Sequence, residues 1–253
     1  ARYDSTYSDL PSAKKDGYYF QGWYLDGKLI KNTDTVKITK DSTFKAQWSE
    51  NKYTIHYFDR GKEIGTSECV YDAPKKLLSD VDLGISKPGY YLFGWSKSRE
   101  STKADFVNGD EVKNLTNEKD GHVNLYAIWM AKGYKLTFDA NGGKTSITSK
   151  SVTYDSAVGA MPTPTRTGYI FKGWYTNKNW DTQVTTTTIY TTPSDSTVYA
   201  KWEAITYNIN YYNEGKLVGT SKHTYDVEQS LTTRDELKLS KDAYTFIGWE
   251  EKQ

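Results

Sequence analysis

A Tyr-x-x-x-Gly-Trp cassette occurs four times in this chain, and it constrains the fold more than any other feature. The copies are Tyr18-Tyr19-Phe20-Gln21-Gly22-Trp23, Tyr90-Tyr91-Leu92-Phe93-Gly94-Trp95, Tyr169-Ile170-Phe171-Lys172-Gly173-Trp174 and Tyr244-Thr245-Phe246-Ile247-Gly248-Trp249. Successive Trp positions lie 72, 79 and 75 residues apart. Self-similarity at a nearly fixed period marks one small folded unit used repeatedly. It also disfavours a single-site enzyme, because most conspicuous residues are framework copied from unit to unit.

Three further landmarks keep register with the cassette. A second Trp closes a unit in Phe44-Lys45-Ala46-Gln47-Trp48, Leu125-Tyr126-Ala127-Ile128-Trp129 and Val198-Tyr199-Ala200-Lys201-Trp202. A Tyr then opens an alternating run at Tyr53, Tyr134 and Tyr207, and a Tyr-Asp pair stands upstream of each cassette at Tyr3, Tyr71, Tyr154 and Tyr225. Period-2 alternation of β-branched and aromatic residues predicts half-buried strands. Gly61, Gly215 and Asn141-Gly142-Gly143 predict hairpin turns after the opening strand. Leu spacing over 73–83 and 228–239 predicts a short helix or helical turn, whereas Pro162 and Pro164 exclude a regular helix in the third unit.

These marks divide the chain into a partial repeat over 1–49 lacking its first strand, complete repeats over 50–130 and 131–203, and a partial repeat over 204–253 lacking its last strand. The second repeat carries the longest segment between cassette and closing Trp, 34 residues against 25 and 28, with a polar loop over 96–122. Four residues separate each closing Trp from the next opening Tyr, so neighbouring repeats are expected to hold a limited range of angles.

Composition removes several classes of function. A net charge of +1 gives no electrostatic footprint for nucleic acid or an anionic membrane. Cys69 is the sole cysteine, so the chain forms no disulfide within itself. No apolar run reaches the roughly 18 residues that a membrane-spanning helix requires, and no signal peptide is recognisable. A start at Ala1, in mid-repeat and without Met, suggests a piece of a longer protein.

The third unit carries several linked motifs in order. It reads Tyr134-Lys135-Leu136-Thr137-Phe138-Asp139-Ala140-Asn141-Gly142-Gly143, then Pro164-Thr165-Arg166-Thr167-Gly168-Tyr169, Gly173-Trp174-Tyr175 and Val198-Tyr199-Ala200-Lys201-Trp202. This resembles the Listeria–Bacteroides repeat, the B-repeat type of internalin B. The resemblance covers essentially the whole chain and is closest in the third unit. It implies small β-grasp (ubiquitin- or SUMO-like) units, a β-rich α+β class, in an elongated array on bacterial surface or secreted proteins. The second and fourth units depart from the pattern with Asp59-Arg60-Gly61 and Asn213-Glu214-Gly215 at the opening turn, and Ala243 replaces the Gly before the last cassette.

Chemistry-bearing residues are sparse. His56, His122 and His223 have no metal-ligand spacing, and His223 aligns with Cys69 and Val152 at one strand position. No catalytic residue, cofactor or metal ligand is expected. Trp23, Trp48, Trp95, Trp129, Trp174, Trp202 and Trp249 read as core framework, because an aromatic repeated in every unit serves packing. Trp180 breaks the repeat in the polar loop Thr176-Asn177-Lys178-Asn179-Trp180-Asp181 and, with Tyr175 and Tyr190, makes a candidate glycan contact.

The leading functional reading is a non-catalytic stalk or spacer of a bacterial cell-surface or secreted adhesin, extracellular in location. One alternative is a multivalent module binding a host-surface or cell-wall glycan or protein. The other is an appendage of a secreted polysaccharide-active enzyme. Partners exclude nucleic acid and membrane insertion, and include head-to-tail self-association through the incomplete end repeats.

Overall fold

A computed structural model describes residues 2–251. The chain divides into two compact units, residues 1–131 and 132–253. The first contains β1 (Tyr18–Leu25), β2 (Lys28–Ile30), β3 (Lys45–Glu50), β4 (Lys52–Asp59), β5 (Lys62–Val70), β6 (Lys75–Lys76), α1 (Asp80–Leu83), β7 (Tyr90–Ser96), β8 (Phe106–Val107), β9 (Glu111–Val112) and β10 (Gly121–Ala131). The second contains β11 (Gly133–Asp139), β12 (Ser149–Thr153), β13 (Tyr169–Tyr175), β14 (Gln183–Val184), β15 (Ser196–Ala204), β16 (Thr206–Asn213) and β17 (Lys216–Thr224).

Each unit holds one five-stranded sheet, of order β5-β4-β10-β7-β8 in the first and β12-β11-β15-β13-β14 in the second. In both, the opening strand lies parallel to the closing strand at the centre, and the remaining pairings are antiparallel. The partial repeats are complementary pieces of that plan. The β2-β1-β3 sheet supplies the cassette strand with its two neighbours, and β16-β17 supplies the opening hairpin.

A bulge explains the cassette. Pairing jumps across Gln21 between Phe20 and Gly22, across Phe93 between Leu92 and Gly94, and across Lys172 between Phe171 and Gly173. Strict alternation would send residues three apart to opposite faces of the sheet. One extra residue reverses the phase, so Phe171 and Trp174 meet on the same side with ring centroids 5.5 Å apart. In the second repeat the same device buries both Leu92 and Trp95. Each cassette indole then donates to a carbonyl of its own crossover segment: Pro11 for Trp23, Leu78 for Trp95, Pro162 for Trp174 and Thr232 for Trp249. An aromatic of the opening strand completes the contact, Tyr57 on Trp95 at 4.9 Å and Phe138 on Trp174 at 5.0 Å.

The framework Trp are not equally buried. Trp95 and Trp174 are buried, whereas Trp23, Trp249 and all three closing Trp are half-buried. Among the described residues Trp23 has no opening strand over it and Trp249 no closing strand beside it. The closing Trp129 and Trp202 lie at the margin of the core, their indoles donating to Asp59 and to the Ala140 carbonyl.

Helix forms in one of the two expected places. Ser79 and Asp82 make a capping box and Gly84 ends α1 in the left-handed region, which holds a single turn. Thr233 and Glu236 reproduce the box hydrogen bonds in the last repeat, and Lys238 at φ 56° takes the left-handed place of Gly84, but the segment forms turns and no α-helix. The opening hairpins also differ by sequence. Arg60-Gly61 and Glu214-Gly215 link their strands directly, while Asn141 sits in a wider loop pinned by Asp139. The predicted strand alignment holds: Cys69, Val152 and His223 face Tyr53, Tyr134 and Tyr207 and are all buried.

Candidate functional site

Each unit contains a joint between a partial and a complete repeat, built from the same four residues. In the first unit Gly17-Tyr18, at the head of the cassette, meets Tyr71-Asp72 of the following repeat. The Tyr18 hydroxyl donates to Asp72 at 2.7 Å, and the Tyr18 and Tyr71 rings meet edge to face at 5.8 Å. In the second unit Gly168-Tyr169 meets Tyr225-Asp226, with the hydroxyl bond at 2.8 Å and the rings at 5.7 Å. A cation covers the free face of each cassette Tyr, Lys15 at 3.4 Å and Arg166 at 3.8 Å.

The backbone is pinned in the same manner. The linking residue donates back to the glycine, Asn51 to Gly17 and Ile205 to Gly168, and accepts from the tyrosine amide, Tyr71 to Asn51 and Tyr225 to Ile205. The four-residue linkers expected from sequence are therefore mostly strand. Only Asn51 separates β3 from β4, and only Ile205 separates β15 from β16. A single hydrogen-bonded residue leaves the connection almost no conformational freedom.

Glycine is required at these joints for two separate reasons. Gly17 and Gly168 adopt φ of 76° and 79°, and a Cβ at either position would lie 2.2 Å from the adjoining Tyr71 or Tyr225 ring. Ala243, at the equivalent position of the last repeat, keeps φ at 60°. The turn geometry thus survives the replacement, at the cost of holding an L-residue in the left-handed region. The paired aspartates, Asp72 and Asp226, adopt φ of 62° and 57°, a conformation Asp tolerates better than most residues.

The first joint has an additional brace. Asp72 also accepts from the Asn114 side chain at 2.9 Å and pairs with Lys113. Those hydrogen bonds, that of Asn114 foremost, hold its carboxyl down at about 2. Accepting the Tyr18 proton, it pushes that phenol up to about 12. Asn114 and Lys113 belong to the long polar loop of the second repeat. Farther along that loop, the Asn117 carbonyl accepts from the Asn51 side chain, and the Lys119 ammonium lies 4.1 Å from the Tyr19 ring centroid of the first repeat. Sequence alone marked only the length and polarity of this loop. Its contacts make it a strut across the joint.

The three aromatics proposed as a glycan contact do not assemble as a trio. Tyr190 is buried, its hydroxyl within hydrogen-bond distance of the Ser194 carbonyl and the Ser196 hydroxyl, and its ring packed on Tyr134. It belongs to the core of its repeat because the bridge between Ala157 and Ile189 draws its segment inward. Tyr175 and Trp180 do meet, edge to face at 5.7 Å and 82°. Asn177 organises their loop by accepting from the Asn179 amide and donating to Asp181, while the Lys201 ammonium lies 5.2 Å from one ring and 5.8 Å from the other. Cys69 is buried, and burial pushes its thiol up, away from the reactive thiolate. Among the described residues no helix is long and apolar enough to cross a membrane.

The model of the Listeria-Bacteroides repeat domain matches residues 1–47, 134–201 and 207–253, more than half of the chain. The chain belongs to the Listeria–Bacteroides repeat family. Residues 48–133 lie outside the matched segments, yet their sheet has the strand order of the matched third repeat. A provisionally named Gly-rich membrane protein of Evansella cellulosilytica is 26% identical over 260 residues, covering 96% of this chain and 28% of its own length. A second provisionally named membrane protein of that organism is 27% identical over 261 residues, covering 98% of this chain and 36% of its own length. Internalin H of Listeria monocytogenes is 34% identical over 120 residues, 47% of this chain and 20% of its own. The chain therefore spans only 20–36% of the length of these relatives.

Proposed function

We propose that this chain is a non-catalytic spacer from a bacterial cell-surface or secreted protein, made of β-grasp repeats in an elongated array that carries a functional region elsewhere in the parent protein. The observation that carries the reading is the joint. The same Gly, Tyr, Tyr and Asp lock one repeat to the next in each unit, with matching bond lengths and a one-residue linker. A spacer needs repeats that keep their mutual angle, and these contacts supply that. The β-grasp assignment rests on the sheet order, in which second, first, fifth, third and fourth strands lie side by side around a parallel central pair. The surface location is supported by the membrane proteins and the internalin with which the chain shares its repeats. Small-angle scattering tests the spacer reading: a radius of gyration near the roughly 18 Å of a compact 253-residue globule would overturn it.

A second reading, weak glycan binding, is favoured by one observation. The Tyr175–Trp180 corner, with the Lys201 ammonium beside it, offers ring surface and a hydrogen-bond donor at a position absent from the other repeats. Binding on a glycan array that survives Trp180→Ala would remove it. Self-association is a third proposal, resting on β3 and β16 as edge strands whose counterparts in complete repeats are paired on both sides. A sedimentation mass that stays monomeric across a hundredfold concentration range would exclude it.

A further inference from the structure

Two histidines that stand 66 residues apart in sequence meet on the outer face of the second repeat's sheet. His56 lies on β4 and His122 on the parallel neighbour β10, two residues along from its register partner. Their ring nitrogens, Nε2 of His56 and Nδ1 of His122, are 2.9 Å apart and the ring centroids 5.0 Å apart. The other nitrogen of His56, Nδ1, lies 2.9 Å from a Glu63 carboxylate oxygen, across the hairpin on β5. His122 is exposed, so the pair opens to water. Neither the joint nor the core uses these side chains.

We propose that His56 and His122 form a two-imidazole site for a divalent transition-metal ion of the copper or nickel type, with Glu63 as the group that orients His56. The chemistry follows from the positions. Metal–imidazole bonds of about 2.0–2.1 Å put the centroids of two cis ligands roughly 4.5–5.2 Å apart as the angle at the metal opens from square to tetrahedral. The observed 5.0 Å falls inside that span, so an ion can replace the hydrogen that His122 Nδ1 donates to His56 Nε2, His122 carrying its proton on Nε2 instead once the metal is bound. Glu63 accepts from Nδ1 and thereby leaves Nε2 of His56 as the ligating atom, the carboxylate–histidine arrangement that fixes tautomer and ring orientation. Imidazole pairs with water in the remaining positions suit the tetragonal preference of Cu2+ and Ni2+, which would draw the two rings together by up to about 0.5 Å. Among the described residues no group of three His, Cys, Asp or Glu side chains is placed to hold a metal, and two nitrogens with solvent suffice here. The constellation also breaks the repeat: Thr137 and Asp195 stand at the equivalent places in the third repeat, and Asn210 and Leu217 replace His56 and Glu63 in the fourth.

Titration of the full chain with Cu2+, followed by calorimetry and electron paramagnetic resonance, tests this. The expected result is one site whose spectrum carries coupling to two nitrogen nuclei. His122→Ala removes an exposed ring and should abolish that signal while leaving the far-ultraviolet spectrum unchanged. Glu63→Ala should keep both nitrogens but weaken binding roughly tenfold. His223→Ala should leave the signal intact. An unchanged signal in His122→Ala, or no two-nitrogen species in the parent chain, would overturn the proposal.

Discussion

Replacing Gly168 by Ala isolates what the joint requires. Two terms are involved. The first is backbone: an L-residue in the left-handed region costs about 1–2 kcal/mol, offset by about 0.4–1 kcal/mol because Ala restricts the unfolded chain. The second is contact: the new Cβ would lie 2.2 Å from the Tyr225 ring, which has to move. That movement forfeits an edge-to-face pair with Tyr169 worth about 0.5–1.5 kcal/mol. Together the terms weaken the joint by about 2 kcal/mol, or roughly 30-fold in its opening equilibrium. Native-state hydrogen exchange at the amides of Ile205 and Tyr225 reads this directly, because both bonds cross the joint. The decisive comparison is a cycle with Tyr225→Ala. Without the ring the contact term disappears, and Gly168→Ala should then cost only the backbone remainder of about 0.8 kcal/mol, a little under half its effect in the parent. Equal costs in both backgrounds, within about 0.5 kcal/mol, would refute the close-approach argument and leave conformational strain as the only requirement for glycine.

Ala243→Gly should stabilise the last repeat by about 1 kcal/mol in thermal or urea unfolding, because it relieves the same backbone term. Trp95→Ala or Trp174→Ala should destabilise its own repeat by about 3–5 kcal/mol and leave amide protection elsewhere intact; unchanged melting would show that these indoles are not core. The first joint should respond to both extremes of pH. Asp72 has a depressed folded pKa, so its contribution is complete above the ordinary carboxylate range and is lost as pH falls through about 2. Tyr18 has a raised pKa, so its contribution is complete below the ordinary phenol range and is lost as pH rises through about 12. Tyr71 amide exchange, corrected for intrinsic rate, should show this loosening, and Asp72→Asn should remove the acid limb.

The repeat, its strands and its cassette were legible in the sequence because they depend on local pattern, although the fourth cassette, over 244–249, forms no strand. Alternation marks strands, recurrence marks the unit, and two prolines forbid a helix in the third repeat. The aligned strand position shared by Cys69, Val152 and His223 was readable for the same reason. The site was not. Tyr18, Tyr71 and Asp72 each stood out as repeated residues, but their meeting depends on where one repeat's Tyr-Asp turn falls against the preceding cassette. No periodicity within a repeat encodes that position. The role of the 96–122 loop was hidden likewise, since its length was visible and its partners Asp72, Asn51 and Tyr19 were not. Tyr190 was misplaced because an aromatic in a polar stretch looks exposed until a long-range bridge draws it inward. His56 and His122 lacked metal-ligand spacing along the chain and became neighbours only through parallel pairing of β4 with β10, a contact that period-2 alternation predicts for neither strand. Sequence by itself determined what regular strands such as β4 and β11 bury, because burial there follows the alternation of side chains along a single strand. Tertiary structure decided which exposed residues meet, because that depends on register between strands and on the bulge that reverses one of them.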